Sequence, residues 1–250
     1  MIKSEIKNNI GIIILARPEK RNALNPVLVK SLKDILIEFV KNDVVKSIII
    51  TGEGNSFCAG ADLEYLKSIS TNSTIENYND SKSLAELFIM IYEFPKPTIA
   101  AVNGAAMAGG CGLASVCDFI VAHPEKSKFG YSEVKIGFIP AIVSIFLIKK
   151  VGEGLARQLL LEGDNISGQR AYELGYVNYL AENVMDESIS LAKNINKNSV
   201  ESLKLTKQMI TNISNLSAKE AVNYCIELNT ISRSTNDFKN GIAKFLNKDK

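Results

Sequence analysis

Only one histidine, His123, occurs among 250 residues, and the four cysteines, Cys58, Cys111, Cys117 and Cys225, form no CxxC pair and no zinc-type spacing. One imidazole cannot complete a metal site with thiols so dispersed, so the expectation is no metal and reduced thiols in a cytoplasmic protein. An excess of either charge is also lacking. The 29 Lys and Arg residues against 27 Asp and Glu give a formal net charge of +2, with basic residues scattered except toward the C-terminus, which is not a nucleic-acid footprint. No apolar run approaches the roughly 20 residues that span a bilayer, and Met1-Ile2-Lys3-Ser4-Glu5 has no apolar signal core, so no membrane partner is expected. Internal repeats, heptads and Pro/Gly-rich linkers are missing too.

What remains is an ordinary globular composition, 46% hydrophobic and 22% charged, suited to one large core and small-molecule chemistry. Gly11-Ile12-Ile13-Ile14-Leu15 and Lys46-Ser47-Ile48-Ile49-Ile50-Thr51 read as buried strands. Between them Asn25 can cap a helix that has Pro26 in its first turn, with Leu28, Val29, Leu32, Ile35, Leu36, Phe39 and Val40 at helical spacing. A polar stretch from Thr71 to Ser83 precedes a helix over 84–93, then strands over 98–102 and 119–122. Beyond Pro140 helices are expected over 143–151, 155–161 and 167–174, followed by a short strand over 176–180 and four more helices. Ser217-Ala218-Lys219-Glu220 has the capping-box pattern, and the last helix is expected to begin near Asn236. The pattern predicts an α/β core over 1–182 and a helical C-terminal subdomain over 183–250.

The most informative segment is Asn103-Gly104-Ala105-Ala106-Met107-Ala108-Gly109-Gly110-Cys111-Gly112, a small-residue run that follows the strand over 98–102. Strand, tight turn and helix start in succession bring free backbone N–H groups toward a negatively charged ligand. Phosphate loops fail on detail. Gly104 to Gly109 has Walker A spacing, but Gly110-Cys111 replaces the Lys-Ser/Thr pair. Gly52-Glu53-Gly54 and Gly152-Glu153-Gly154 lack the third glycine of a dinucleotide fingerprint, with Phe57 and Arg157 in its place.

A second small-residue loop, Phe57-Cys58-Ala59-Gly60-Ala61-Asp62-Leu63, follows the strand ending at Thr51. Together with the Asn103 loop and Ser132-Glu133-Val134-Lys135-Ile136-Gly137 before Ile139-Pro140, it resembles the crotonase superfamily, the enoyl-CoA hydratase/isomerase family. The resemblance runs from Arg17-Pro18 and Asn22-Ala23-Leu24 to the C-terminal helices. It implies a crotonase-like spiral of ββα units and a C-terminal helical trimerisation region, giving a homotrimer or a dimer of trimers. It also implies an acyl-CoA thioester substrate with no separate cofactor, coenzyme A being part of that substrate. Ala61 and Gly109 then supply the two N–H groups of an oxyanion hole, where each donor is worth ~3 kcal/mol on a developing enolate. Taken singly, either loop also reads as tight helix–sheet packing.

By the same resemblance Glu133 is the catalytic glutamate, its pKa raised by partial desolvation; the plainer alternative is an exposed carboxylate beside Lys135. Two-carboxylate hydratases of the family carry a second glutamate where this chain has Gly112. One carboxylate suffices for a 3-enoyl-CoA to 2-enoyl-CoA isomerase. Gly112 together with Ser132 to Ala141 nevertheless looks like bacterial members assigned to methylglutaconyl-CoA or related hydration. Hydration of a 2-enoyl-CoA by a single glutamate is therefore the first reading and isomerisation the second. A weakly active acyl-CoA-binding or assembly protein is the third, and decarboxylation or thioester hydrolysis could use the same fold.

The resemblance also assigns substrate or coenzyme A contacts to Lys20, Arg21, Ala23, Ala59, Asp62, Leu63, Gly110, Tyr131, Phe245 and Lys248. Several have plain alternatives: solvated turn charges at Lys20 and Arg21, a helix N-terminal carboxylate at Asp62, simple packing at Tyr131, and terminal disorder at Phe245 and Lys248. Cys111 has glycine on both sides but no base to activate it, so it reads as a packed thiol.

Overall fold

The computed structural model describes residues 1–214 and 216–246. The chain opens with a hairpin of β1 (Ile2–Lys7) and β2 (Ile10–Leu15), joined by Asn8 and Asn9, both at positive φ as a two-residue type I′ turn requires. Helix α1 (Pro26–Lys41) starts as the sequence predicts, the Asn25 side chain accepting from the Leu28 amide at 2.9 Å. Its buried stripe is Leu28, Val29, Leu32, Leu36 and Phe39. Strands β3 (Ser47–Gly52) and β4 (Ser56–Cys58) and helices α2 (Leu63–Ser68) and α3 (Thr74–Tyr92) come next. The expected helix over 84–93 is thus the second half of a longer one. Ser73 and Glu76 form a capping box at its true start, inside the stretch read as loop.

β5 (Thr98–Val102), β6 (Ala105–Met107), α4 (Gly109–Ser115), β7 (Phe119–Ala122) and β8 (Lys128–Gly130) carry the chain to a 3-10 turn at Ser132–Ile136. The remainder is α5 (Ala141–Glu162), β9 (Ile166–Ser167), α6 (Gly168–Glu173), β10 (Tyr179–Leu180), α7 (Val184–Ile195), α8 (Val200–Ile213), α9 (Ala218–Ser234) and α10 (Asn236–Leu246). α5 breaks at Gly152, whose φ of 78° and ψ of 163° are non-helical, so the helices expected over 143–151 and 155–161 are its two halves.

Two sheets result. The larger runs β1-β2-β3-β5-β7-β10 and is parallel from β2 onward; the smaller runs β4-β6-β8-β9, with β4, β6 and β8 parallel. Each pass of the chain adds one strand to each sheet: β3 then β4, β5 then β6, β7 then β8. β3 and β5 are buried at every residue, which is why they read as continuous apolar runs rather than alternating ones. Ile48 and Ile50 face the main core with α1, while Ile49 joins Val184 and Ala192 of α7 on the opposite face. The first helix after residue 183 therefore shares the core of the preceding sheet. Helices α8, α9 and α10 pack mainly on one another, and Lys207 of α8 pairs with Asp118 at 2.7 Å to tie them to the sheet. Among the described residues no helix is long and apolar enough to cross a membrane.

Candidate active site

Three neighbouring parallel strands of the smaller sheet end at the three segments that the sequence singled out. Ala61 lies three residues beyond the end of β4, Gly109 two beyond β6 and Glu133 three beyond β8. Paired strands are about 4.8 Å apart, so strand pairing sets the spacing of the three positions. All lie at the carboxyl edge, where α/β sheets gather ligands.

The first position is held by a zipper between two loops. Ala59 N–H donates to Arg21 C=O at 3.0 Å, Leu24 N–H to Gly60 C=O at 2.7 Å and Asp62 N–H to Leu24 C=O at 2.9 Å. In a parallel bridge of this kind alternate amides face outward, and the Ala61 amide has no protein acceptor among the described residues. The same is true of Gly109, which opens α4 and so has no partner within the helix. The loops touch through glycine: a Cβ on Gly60 would lie 3.2 Å from the Gly109 nitrogen, and one on Gly109 would lie 4.0 Å from the Ala61 nitrogen.

Ala108 turns the chain between β6 and Gly109 with φ 49° and ψ −117°, a conformation that alanine adopts at a cost of ~1–3 kcal/mol. Its N–H donates to Gly130 C=O at 2.7 Å, so β8 holds the strained turn in place. Gly110 is buried where a Cβ would stand 2.0 Å from the Cys58 carbonyl oxygen; its role is close backbone packing.

Glu133 sits in the 3-10 turn after β8 and is only 8% exposed. Its Oε2 is buried with no hydrogen-bond partner among the described residues, and desolvation raises its pKa above the usual glutamate value. The exposed-carboxylate alternative is thereby excluded, for Lys135 turns away to pair with Asp164 at 2.5 Å. Beyond Glu133, the side chains of Ile136, Phe138 and Ile139 are exposed, and so is that of Leu63 beyond Ala61. No carboxylate stands at Gly112. A Cβ there would meet Val143 Cγ1 at 2.4 Å and Phe88 Cε2 at 2.8 Å, so the space is filled by apolar side chains.

Other expected contacts are distributed differently. Asp62 is 7% exposed and accepts from Arg17 Nη2 at 2.9 Å, while its second oxygen caps α2 at the Glu64 and Tyr65 amides. Arg17 also donates to the Ala23 carbonyl at 2.7 Å, so Ala23 and Asp62 belong to the scaffold under the loop. The Arg17 guanidinium holds the Asp62 carboxyl below its usual pKa. Lys20 is engaged by Glu64 at 2.6 Å, and Arg21, exposed at φ 50°, makes no ion pair among the described residues. Tyr131, read as a substrate contact, is 2% exposed and inside the core. Phe245 is exposed on α10, which packs on α8 and α9, and Lys248 lies outside the described residues.

Cys58, Cys111 and Cys117 are buried with thiol pKa values pushed up by desolvation, as inert packed thiols should be. His123 Nδ1 accepts from the Glu125 and Lys126 amides, a structural task. Among the described residues no cluster could hold a metal ion. A cavity of about 260 Å³ between Glu93–Pro95 and α8 contains none of these groups. Sequence reading missed Arg17 as the partner of Asp62 and the conformation of Ala108; neither leaves a local motif.

Residues 5–250 match the enoyl-CoA hydratase/isomerase family. A Thermus thermophilus protein provisionally named an enoyl-CoA hydratase is 39% identical over 244 residues, covering 97% of this chain and 96% of that protein. The mitochondrial enoyl-CoA hydratase of Pongo abelii is 34% identical over 246 residues, covering 97% of this chain and 83% of that one. The crystal structure of an enoyl-CoA hydratase from Polaromonas sp. JS666 superimposes with a TM-score of 0.94 at 32% identity, covering 99% of this chain and 97% of that chain. With its nested sheets, its paired small-residue loops and these relatives, the chain belongs to the enoyl-CoA hydratase/isomerase family of the crotonase superfamily.

Proposed function

We propose that this protein hydrates a 2-enoyl-CoA thioester with one carboxylate, Glu133, and a backbone oxyanion hole made by Ala61 and Gly109. The observation that carries the reading is a buried carboxylate oxygen without a partner on the same sheet edge as two amides without acceptors. In this mechanism the two amides polarise the thioester carbonyl, and Glu133 takes a proton from water as the hydroxyl adds to C3. The resulting enolate oxygen is held by the amides until Glu133 returns the proton to C2. No side chain reorganises to stabilise the charge, which is why amides so placed are effective. Leu63, Ile136, Phe138 and Ile139 offer an apolar rim to the acyl chain, and Arg21 a cation to the phosphates of coenzyme A. Exposed Ile210, Val222, Ile226, Ile231 and Ile242 on the C-terminal helices support trimerisation through that region, and sedimentation as a monomer would count against it.

The test is Glu133→Gln. Turnover of a 2-enoyl-CoA, followed by loss of the conjugated thioester absorbance, should fall by about 10²–10⁴-fold while acyl-CoA binding persists. Unchanged turnover removes Glu133 from the chemistry. The apolar filling beside Gly112 favours a second reading, 3-enoyl-CoA to 2-enoyl-CoA isomerisation, which needs no second carboxylate. Assaying both reactions over a panel of acyl groups that includes methylglutaconyl-CoA separates them: hydration without double-bond migration supports the first, migration without hydration the second.

A further inference from the structure

Behind the site, three hydroxyl groups from distant parts of the chain meet in the core. Ser115 Oγ lies 3.1 Å from Tyr131 Oη and 2.9 Å from Tyr176 Oη, and the two phenols are 3.2 Å apart. Tyr176 Oη also donates to the Cys111 carbonyl at 3.1 Å. Ser115 is 5% exposed, Tyr131 2% and Tyr176 0%. Ser115 ends α4, the helix that Gly109 begins; Tyr131 immediately precedes the turn that carries Glu133; Tyr176 follows α6 and is held edge-on against Phe129, with ring centroids 5.1 Å apart.

The donors can be counted. Tyr176 spends its only proton on the Cys111 carbonyl, so within the triangle it can only accept. Ser115 and Tyr131 then have two protons between them for three edges, and two edges at a time are hydrogen bonds. The Tyr131 hydroxyl has its partners only within the triangle, so it stays paired only while its segment keeps its position against α4 and Tyr176, and a buried hydroxyl left unpaired costs about 1–3 kcal/mol. Two phenylalanines and an alanine would fill the same core without that condition. A polar network retained in such a place specifies position more than it adds stability.

We infer that the Ser115–Tyr131–Tyr176 triangle is a positioning device that holds the Glu133 turn in register with α4. The inference rests on the proposed role of Glu133. At 5% exposure or less, the three residues present no surface to a substrate. Displacing a reacting group by about 1 Å can cost 10²-fold in rate, so a restraint on the Glu133 turn is read in kcat.

The test uses Tyr131→Phe, Tyr176→Phe and their double variant, which keep ring volume and remove hydroxyls. Steady-state kinetics on the hydrated enoyl-CoA, equilibrium acyl-CoA binding and thermal melting are measured beside Glu133→Gln. Expected are kcat values reduced roughly 5- to 100-fold, with KM and acyl-CoA affinity within twofold of the parent. The double variant should lose no more than the worse single one, because the hydroxyls act as a unit. A merely structural role lowers the melting temperature and leaves kcat at full folding within twofold, which overturns the inference; so does a rise in KM with kcat unchanged. If Glu133→Gln abolishes turnover while both phenylalanine variants keep it, the positioning role alone falls. If Glu133→Gln keeps turnover, both readings fall. Should one tyrosine variant not fold, the other carries the same comparison.

Discussion

The buried ion pair beneath the first loop gives the sharpest energetic prediction. Arg17 and Asp62 have side chains only 11% and 9% exposed, their closest atoms 2.9 Å apart, and Asp62 also caps α2. Removing one partner of a buried pair strands the other charge, at about 3–5 kcal/mol, and both side chains keep slight water access, which selects the lower end. Loss of the cap adds about 1 kcal/mol. Asp62→Ala should therefore cost about 4 kcal/mol, whereas Asp62→Asn, which still caps, should cost about 3 kcal/mol. In urea denaturation of Arg17→Met, Asp62→Asn and the double variant, the two sites should couple by about 2 kcal/mol. The pH dependence has a definite sign. The carboxyl pKa is depressed in the folded state, so the contribution is complete above the unfolded aspartate pKa of about 3.9 and disappears as pH falls through the lower folded value. The gap between parent and Asp62→Asn should be level from pH 8 to about pH 5 and close below about pH 4. A coupling under about 0.5 kcal/mol would class the pair with exposed surface bridges and refute the reasoning.

The other predictions concern the chemistry above that scaffold. Gly109→Ala meets nothing closer than Leu24 Cδ1 at 3.3 Å, so melting should change little; yet its methyl lies 4.0 Å from the Ala61 nitrogen, and turnover should drop by about 10²-fold. Equal turnover would move the oxyanion away from these amides. Gly112→Ala forces a methyl to 2.4 Å from Val143 Cγ1 and 2.8 Å from Phe88 Cε2 and should destabilise by about 1–3 kcal/mol in urea denaturation; a neutral variant would mean that the packing is loose. Because burial raises the Glu133 pKa and the base acts ionised, kcat/KM should rise with pH through a midpoint above the usual glutamate value, and Glu133→Gln should erase that limb. By linkage the same burial favours the folded state below the unfolded glutamate pKa, a contribution lost as pH rises through the raised folded value.

Much of this architecture could be read in the sequence, for physical reasons that differ by element. Strands buried on both faces announce themselves as β-branched runs, and Asn25-Pro26 and Ser217-x-x-Glu220 announce helix starts through their caps. The N-terminal half of α3 did not, because its residues face solvent and its polarity masks the period; its Ser73–Glu76 box was the available signal. The edge strand β1 is charged and exposed, and β4, β6 and β8 have three residues each, too few to show alternation. Ala61, Gly109 and Glu133 were singled out by the family resemblance of three short motifs in order, each of which alone also reads as packing or a surface turn. The Arg17–Asp62 pair and the hydroxyl triangle join residues 45 and up to 61 positions apart and leave no local trace.

Two of the three groups in the proposed mechanism are main-chain amides, whose spacing is set by neighbouring strands rather than by side chains. A point mutation cannot delete such a donor, only crowd or tilt it. None of residues 69–83 is buried, so that connection can change composition while strand pairing keeps the two amides in place. Of the three groups in the proposed mechanism, the Glu133 carboxylate is therefore the one that a single substitution can remove outright.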